Sequence, residues 1–316
     1  MRPREPDWAL APDEFGSTML EHVPELTRIA EIDTRVLCNT DSSDLTPSDW
    51  MKLAETIHAA RNDYDGVVVT HGTDAMAYTA SALSYVLRNL PFPVILTGSQ
   101  RPLADVHTDG RANLIGAMDL ALRPIHEVTV YFDGLLLRGN RSVKFSTFAF
   151  GAFRSPNFPP LAEIGTEVKL LAPSLVPQGA FRVEGGFDRR VAVVWLHPGD
   201  RGDVLRSLID TDTAAVLVAA YGYGNLPVAD RRVADAVRGL VDAGKVVAIG
   251  SQSLAGKADL DRYAGGRLAR ETGAVSTGDM TLEAASVKLM YLLGSLESTE
   301  RVREAVGSSI AGEMTV

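Results

Sequence analysis

Cysteine is nearly absent from this sequence. Cys38 is the only one in 316 residues, so no intramolecular disulfide can form and no multi-thiolate metal site is available. Long apolar runs are missing too. The longest, such as Val191 to Leu196, are strand-length and far short of the ~20 residues that cross a bilayer as a helix. Positive charge is in the minority, with 31 Lys and Arg against 40 Asp and Glu and a formal net charge of −9. An acidic surface offers no electrostatic footprint for phosphates, so nucleic acid is not an expected partner. A small zwitterionic ligand stays open, because the charge local to a site decides its binding. Met1-Arg2-Pro3-Arg4 runs into Glu5, Pro6 and Asp7 rather than an apolar segment. No signal peptide and no membrane association are therefore expected, and the chain reads as cytoplasmic.

Several catalytic signatures are absent as well. The histidines His22, His58, His71, His107, His126 and His197 show no His-Glu-x-x-His spacing, which argues against a zinc hydrolase. There is no Gly-x-Ser-x-Gly elbow and no phosphate-binding P-loop. Gly222-Tyr223-Gly224 lacks the third glycine and the acidic partner of a dinucleotide fingerprint.

What is present is an ordinary globular composition, 46% apolar and 22% charged. The length exceeds what one core usually supports, so two domains are expected. From Gly66 onward, β-branched runs alternate with helical stretches. Gly66 to Thr70, Pro93 to Thr97 and Val128 to Phe132 read as strands, and Ala75 to Asn89 and Asn113 to Leu122 as helices. Val36-Leu37-Cys38 reads as a further short strand. Residues 173–190, with Pro173, Pro177, Gly179, Gly185 and Gly186 and no periodicity, read as a linker. The alternation then resumes, with strands at Val191 to Leu196, Ala215 to Ala220 and Lys245 to Gly250. Helices are expected at Asp203 to Ile209, Asp230 to Ala243, Leu282 to Leu293 and Thr299 to Ser309. The pattern predicts two α/β domains with mainly parallel sheets, a larger one over residues 1–172 and a smaller one over residues 191–316.

The sharpest local feature is Thr70-His71-Gly72-Thr73-Asp74, at the carboxyl end of a predicted strand and the start of a predicted helix. Ligands of open α/β sheets bind beyond strand carboxyl ends, and free amides of the helix start face the same space. Thr73 and Asp74 can hold a water or an amine there; equally, either can be a plain helix cap. Thr97-Gly98-Ser99-Gln100, Tyr221-Gly222-Tyr223-Gly224-Asn225 and Asp41-Ser42-Ser43-Asp44 occupy similar strand ends, where each also reads as an ordinary turn. Lys144 follows Leu135-Leu136-Leu137 in a polar segment. It is either a solvated surface lysine or an ammonium that polarises a hydroxyl. Spacing alone does not choose.

The ordered set of Asp41-Ser42-Ser43-Asp44-Leu45-Thr46-Pro47, Thr70 to Thr79, Asp109-Gly110, Ser155-Pro156-Asn157 and Gly278-Asp279-Met280-Thr281 resembles bacterial L-asparaginases, the cytoplasmic type I enzymes in particular. The resemblance runs from about Asp41 to the C-terminus. It implies two asparaginase-like α/β domains, the second Rossmann-like, and hydrolysis of L-asparagine to L-aspartate and ammonia, with L-glutamine as a second substrate. It implies a hydroxyl–carboxylate–ammonium triad of Thr73, Asp74 and Lys144. In that scheme Asp74 also holds the substrate's α-amino group and Thr73 positions water. Ser42 and Ser43 would bind the α-carboxylate and amine, Ser99 would contact the side-chain amide through its carbonyl, and Asn225 would reach the site of a neighbouring subunit. A homodimer or homotetramer is implied, with no metal or cofactor.

One departure stands out. The family opens with a strand ending in Thr-Gly-Gly-Thr-Ile, whose second threonine is the nucleophile, and then a loop carrying a tyrosine. No such pattern precedes Asp41. Met1-Arg2 resembles the residues shortly after that motif, which implies a start assigned to an internal methionine and an impaired 316-residue form. Trp8 stands near the place of the loop tyrosine, without a hydroxyl. Ser17 and Thr18 read as a helix cap. Two other functions fit the resemblance: a catalytically silent amino-acid-binding homo-oligomer, and the ammonia-releasing component of a tRNA-dependent amidotransferase. The latter carries an extra N-terminal domain and works with a tRNA-binding partner, neither of which is indicated here.

Overall fold

A computed structural model describes residues 2–4, 9–11 and 19–315. Met1, Trp8, Ser17 and Thr18 lie outside the described residues. The chain divides into two units, Met1–Val183 and Glu184–Val316.

In the first unit, β1 (Arg2–Arg4) pairs antiparallel with β2 (Ala9–Ala11). There follow α1 (Met19–His22), α2 (Pro47–Ala59), β3 (Val67–Thr70), α3 (Met76–Val86), β4 (Leu87–Arg88), β5 (Val94–Thr97) and α4 (Gly110–Ala121). Next come β6 (Val128–Phe132), β7 (Leu135–Arg138), β8 (Val143–Lys144), β9 (Phe153–Arg154), β10 (Ala162–Ile164), β11 (Val168–Leu170) and β12 (Arg182–Val183). The main sheet runs β11-β10-β7-β6-β5-β3. β3, β5 and β6 are parallel, while β7, β10 and β11 join antiparallel, so this sheet is mixed. The switch is local: Asp133 (φ 47°) and Gly134 (φ 83°) make a two-residue hairpin between β6 and β7, the left-handed pair that such a turn requires.

One face of the sheet is covered by α4, whose Ala117, Leu120 and Ala121 pack with Ile95, Tyr131, Leu136 and Leu161. On α3, every residue but Tyr78 is buried. The amphipathic α2 lies against it and contributes the buried Trp50, Ala54 and Ile57. The start of α2 is fixed by the Asp49 carboxylate, which accepts from the Thr46 N–H at 2.9 Å and the Thr46 hydroxyl at 2.7 Å.

Two expectations need correction. Val36-Leu37-Cys38 forms no strand; Val36 is 59% exposed and the segment has no ladder partner among the described residues. The helix expected to reach Asn89 stops at Val86, because Leu87–Arg88 pairs with Arg182–Val183 and Asn89 turns to φ 60°. The stretch after Pro173 lies along the first unit: Leu175 N–H donates to Glu127, which also holds Arg138 in a buried ion pair at 2.6 Å.

The second unit holds β13 (Val191–Trp195), α5 (Asp203–Ser207), β14 (Ala215–Ala220), α6 (Arg232–Asp242), β15 (Val246–Ser251), α7 (Ala264–Glu271), β16 (Val275–Ser276), α8 (Leu282–Ser295) and α9 (Thr299–Val306). Its four strands are all parallel, in the order β13-β14-β15-β16. Residues of α5, α6 and α7 fill one face and α8 packs on the same sheet. No helix among the described residues is long and apolar enough to cross a membrane.

Candidate active site

The register that pairs Thr70 with Thr97 puts the carboxyl ends of β3 and β5 side by side. The loops that follow are in van der Waals contact, and two glycines make this possible. A Cβ on Gly98 would stand 2.3 Å from the His71 carbonyl oxygen, and one on Gly72 would stand 2.8 Å from the Ser42 side chain. Ser42 is only 3% exposed and accepts from the Ala75 N–H through Oγ at 3.3 Å. The 42–44 turn is thereby docked onto the start of α3. Asp41 caps that turn, accepting from the Ser43 N–H and hydroxyl, which hold its carboxyl below the usual range.

Lys144, on β8, reaches the same loop. Its Nζ donates to Thr73 Oγ1 at 2.7 Å and to Asp74 Oδ1 at 2.5 Å. The lysine side chain is 17% exposed and the aspartate 67%. The ammonium is thus sheltered while the carboxylate faces outward, able to accept from a cationic ligand. With Lys144 donating to Thr73 Oγ1, the threonine's own proton is turned away from the lysine and is available to water or substrate.

The Ser99 loop is braced from beneath. Asp109 accepts the N–H groups of Gln100 and Arg101 at 2.9–3.1 Å. The buried Asn113 donates to the Gly98 carbonyl at 2.9 Å and to Asp109 at 3.2 Å, and it accepts from the Asp133 N–H at 3.0 Å. Gln100 donates to the Ser146 and Ala149 carbonyls, joining this loop to the segment after Lys144.

Of the residues singled out by sequence, Thr73, Asp74, Lys144 and Ser42 meet around one loop. Ser43 is adjacent and exposed, and Ser99 follows Gly98 on the neighbouring strand end. Asn225 belongs to the second unit, in a turn closed by its own N–H on the Tyr221 carbonyl at 2.8 Å. Its Oδ1 is buried and has no hydrogen-bond partner among the described residues. Sequence reasoning misses the layer beneath: Asp109 stands out only as part of a motif, while Asn113, Gln100, Trp50 and Thr79 carry no separate signal. Among the described residues, no group of three or more His, Cys, Asp and Glu is arranged to hold a metal ion.

Comparison with known proteins agrees with this arrangement in both units. A family model described as Asparaginase, N-terminal matches residues 1–175, and one described as Glutaminase/Asparaginase C-terminal domain matches residues 190–306. The chain is 42% identical over 278 residues to L-asparaginase 1 of Escherichia coli K12, covering 87% of this chain and 82% of that protein. The solved thermostable L-asparaginase from Thermococcus kodakarensis superposes with a TM-score of 0.89 at 34% identity, covering 97% of this chain and 95% of that one. A glutamyl-tRNA(Gln) amidotransferase component of Pyrococcus abyssi is 33% identical over 319 residues, but the match covers 97% of this chain and only 72% of that protein.

Proposed function

This chain belongs to the asparaginase family, and from that premise we propose that it hydrolyses the side-chain amide of L-asparagine to L-aspartate and ammonia. It is an amidohydrolase. The observation that carries the substrate reading is the sheltered Lys144 ammonium bound to both the Thr73 hydroxyl and the Asp74 carboxylate. Asp74 is the outward-facing anion for the substrate's α-ammonium, and the turn of Ser42 and Ser43 beside it is the part that meets the substrate's α-carboxylate and amine. Lys144 polarises Thr73, whose outward O–H orients the water that resolves the reaction. The family's acyl-transfer nucleophile is a threonine of the Thr-Gly-Gly-Thr-Ile pattern, which these 316 residues do not contain. The step written for the residues present is therefore direct attack by that water: its oxygen bonds to the amide carbon, the C–N bond breaks, and ammonia leaves carrying a proton from the water. Ser99 offers its backbone carbonyl to the amide being cleaved.

Ammonia and aspartate release from L-asparagine, followed beside L-aspartate binding by calorimetry, tests this. Aspartate binding without ammonia release would leave the silent binder. Release from glutamine but not asparagine would favour the amidotransferase-like activity. Neither binding nor release would overturn the reading.

The working form we propose is a cytoplasmic homo-oligomer in which Asn225 completes the partner's site. The support for an assembly is the run of exposed aromatics after Lys144, Phe145, Phe148 and Phe150, with Phe148 94% exposed; the role of Asn225 rests on the family resemblance, since its Oδ1 is covered by its own chain. A stable monomer with full ligand affinity in sedimentation would refute the assembly.

A further inference from the structure

Beside the Thr73–Asp74–Lys144 contact runs a line of polar groups, half-buried at His71 and buried at Thr79 and Trp50, that the proposed reaction does not use. The indole N–H of Trp50 donates to Thr79 Oγ1 at 3.0 Å. The same oxygen lies 2.9 Å from His71 Nε2, and His71 Nδ1 lies 2.6 Å from the Gly72 carbonyl oxygen. Trp50 and Thr79 are 6% and 1% exposed. Only one proton arrangement satisfies every contact of a neutral imidazole. A carbonyl can only accept, so Nδ1 carries the proton. Nε2 is then bare and takes the Thr79 hydroxyl proton, while the Thr79 oxygen accepts from the indole, which can only donate. Burial pushes the His71 imidazole below its ordinary value, which outweighs the opposing pull of the Gly72 carbonyl and favours this neutral form.

The consequence falls on the next peptide. In a trans peptide the carbonyl and the following N–H point opposite ways. With the Gly72 carbonyl drawn back to His71, the Thr73 N–H is directed away from it. Among the described residues, no acceptor contacts that N–H.

Resting on the asparaginase reading above, we propose that His71 is a positioning residue whose Nδ1–H, locked by Thr79 and Trp50, sets the Gly72–Thr73 peptide. The Thr73 amide and hydroxyl are thereby presented together to the amide being cleaved. A bare N–H at that point suits the oxygen on which negative charge develops during amide attack. A histidine that merely fills space would do none of this.

The two amide variants separate these roles. In His71→Asn the side-chain amide stands where Nδ1 stood and can still donate to Gly72. In His71→Gln it reaches the place of Nε2 and loses that donor while keeping more of the volume. Asparagine hydrolysis by His71→Gln is expected to fall by ~10²–10³ in kcat with KM nearly unchanged, the usual cost of losing one aligned donor. His71→Asn should recover most of that loss. Nitrogen NMR of the imidazole gives a second reading that needs no turnover. The wild-type protein should show the Nδ1–H tautomer alone, and Thr79→Val should release it to a mixture. A wild-type Nε2–H tautomer, or active variants with Gln equal to or above Asn, overturns the inference alone. A wild-type protein that releases no ammonia from asparagine overturns the reading on which it rests.

Discussion

The Lys144 contact separates chemistry from stability, and Lys144→Met exploits that. Two unit charges at ~4 Å attract by about 1 kcal/mol in bulk water and about 4 kcal/mol at a protein-surface dielectric. Asp74 is 67% exposed, so the pair sits near the aqueous end. The entropy of holding a long side chain and screening by salt reduce the net gain to ~0–1 kcal/mol. Methionine keeps the apolar stem, and the carboxylate left behind is solvated, so no buried unpaired charge results. For units of this size, ~1 kcal/mol is a melting shift of about 2–4 °C. Turnover should behave differently. Without the ammonium 2.7 Å from Thr73 Oγ1, the hydroxyl is neither polarised nor turned outward, and losses of positioned acid–base groups run to ~10²–10⁴ in rate. The assay is ammonia release at saturating asparagine beside calorimetric melting. A variant within about tenfold of wild-type kcat would remove Lys144 from the chemistry. A melting drop far beyond the calculated range, with proportionate loss of activity, would make it a structural residue instead.

Asp74→Asn should weaken L-aspartate binding by ~10-fold or more, the worth of a charged hydrogen bond at a solvated position, and lower kcat with it; calorimetry showing unchanged affinity would contradict the α-amino role. Asp49→Ala should cost ~0.5–2 kcal/mol in urea unfolding, because the Thr46 N–H and hydroxyl lose their acceptor at the start of α2. The Asp49 carboxyl is held below 3.8 chiefly by the Thr46 hydroxyl, so its contribution is full above that pH and disappears as pH falls through the folded value; an unchanged acid limb in the variant would refute this. His71 titrates with the opposite sense of charge. Its folded pKa lies below the unfolded 6.5, so between the two the unfolded chain binds more protons and stability falls as pH drops below 6.5. His71→Asn should flatten that slope in unfolding measured from pH 7 downward, and a slope identical to wild type would contradict the buried neutral imidazole.

The parallel strands were legible because their composition leaves little choice. Val67-Val68-Val69, Val94-Ile95-Leu96 and Ala215 to Ala220 are short β-branched or apolar runs bounded by turns, and each forms a strand. The direction of β7 was not legible from periodicity, since a strand read either way has the same period. The signal lay in Asp133-Gly134, a two-residue hairpin turn between apolar runs. No helix is read from the sequence over residues 47–59, where α2 forms; its local signal is confined to Thr46-Pro47-Ser48-Asp49 at the start and to the spacing of Trp50, Ala54 and Ile57. The β4–β12 pair was not legible at all. Two residues of strand exist there only because a partner some ninety residues later comes alongside.

The site shows the same division between local and non-local information. Thr73 and Asp74 follow directly from the strand-to-helix loop, whereas Lys144 meets them across 71 and 70 residues of sequence. No spacing rule predicts that meeting; the family resemblance alone supplied it. The structure adds the physical reason the meeting is stable. Ser42 packs on Gly72, His71 packs on Gly98, and Asn113 and Asp109 hold the Gly98–Arg101 turn. Loops from different parts of the sequence are therefore stacked with no room for a Cβ at either glycine contact. In that stack the polar groups of one loop are satisfied by the next, so the Thr73 peptide has few alternative orientations. A lysine arriving from β8 meets a hydroxyl and a carboxylate already in place. Preorganisation of this kind lies in residues such as Asn113 and Gln100, which is why a motif search finds Thr73 and Asp74 and passes over the residues that hold the loops together.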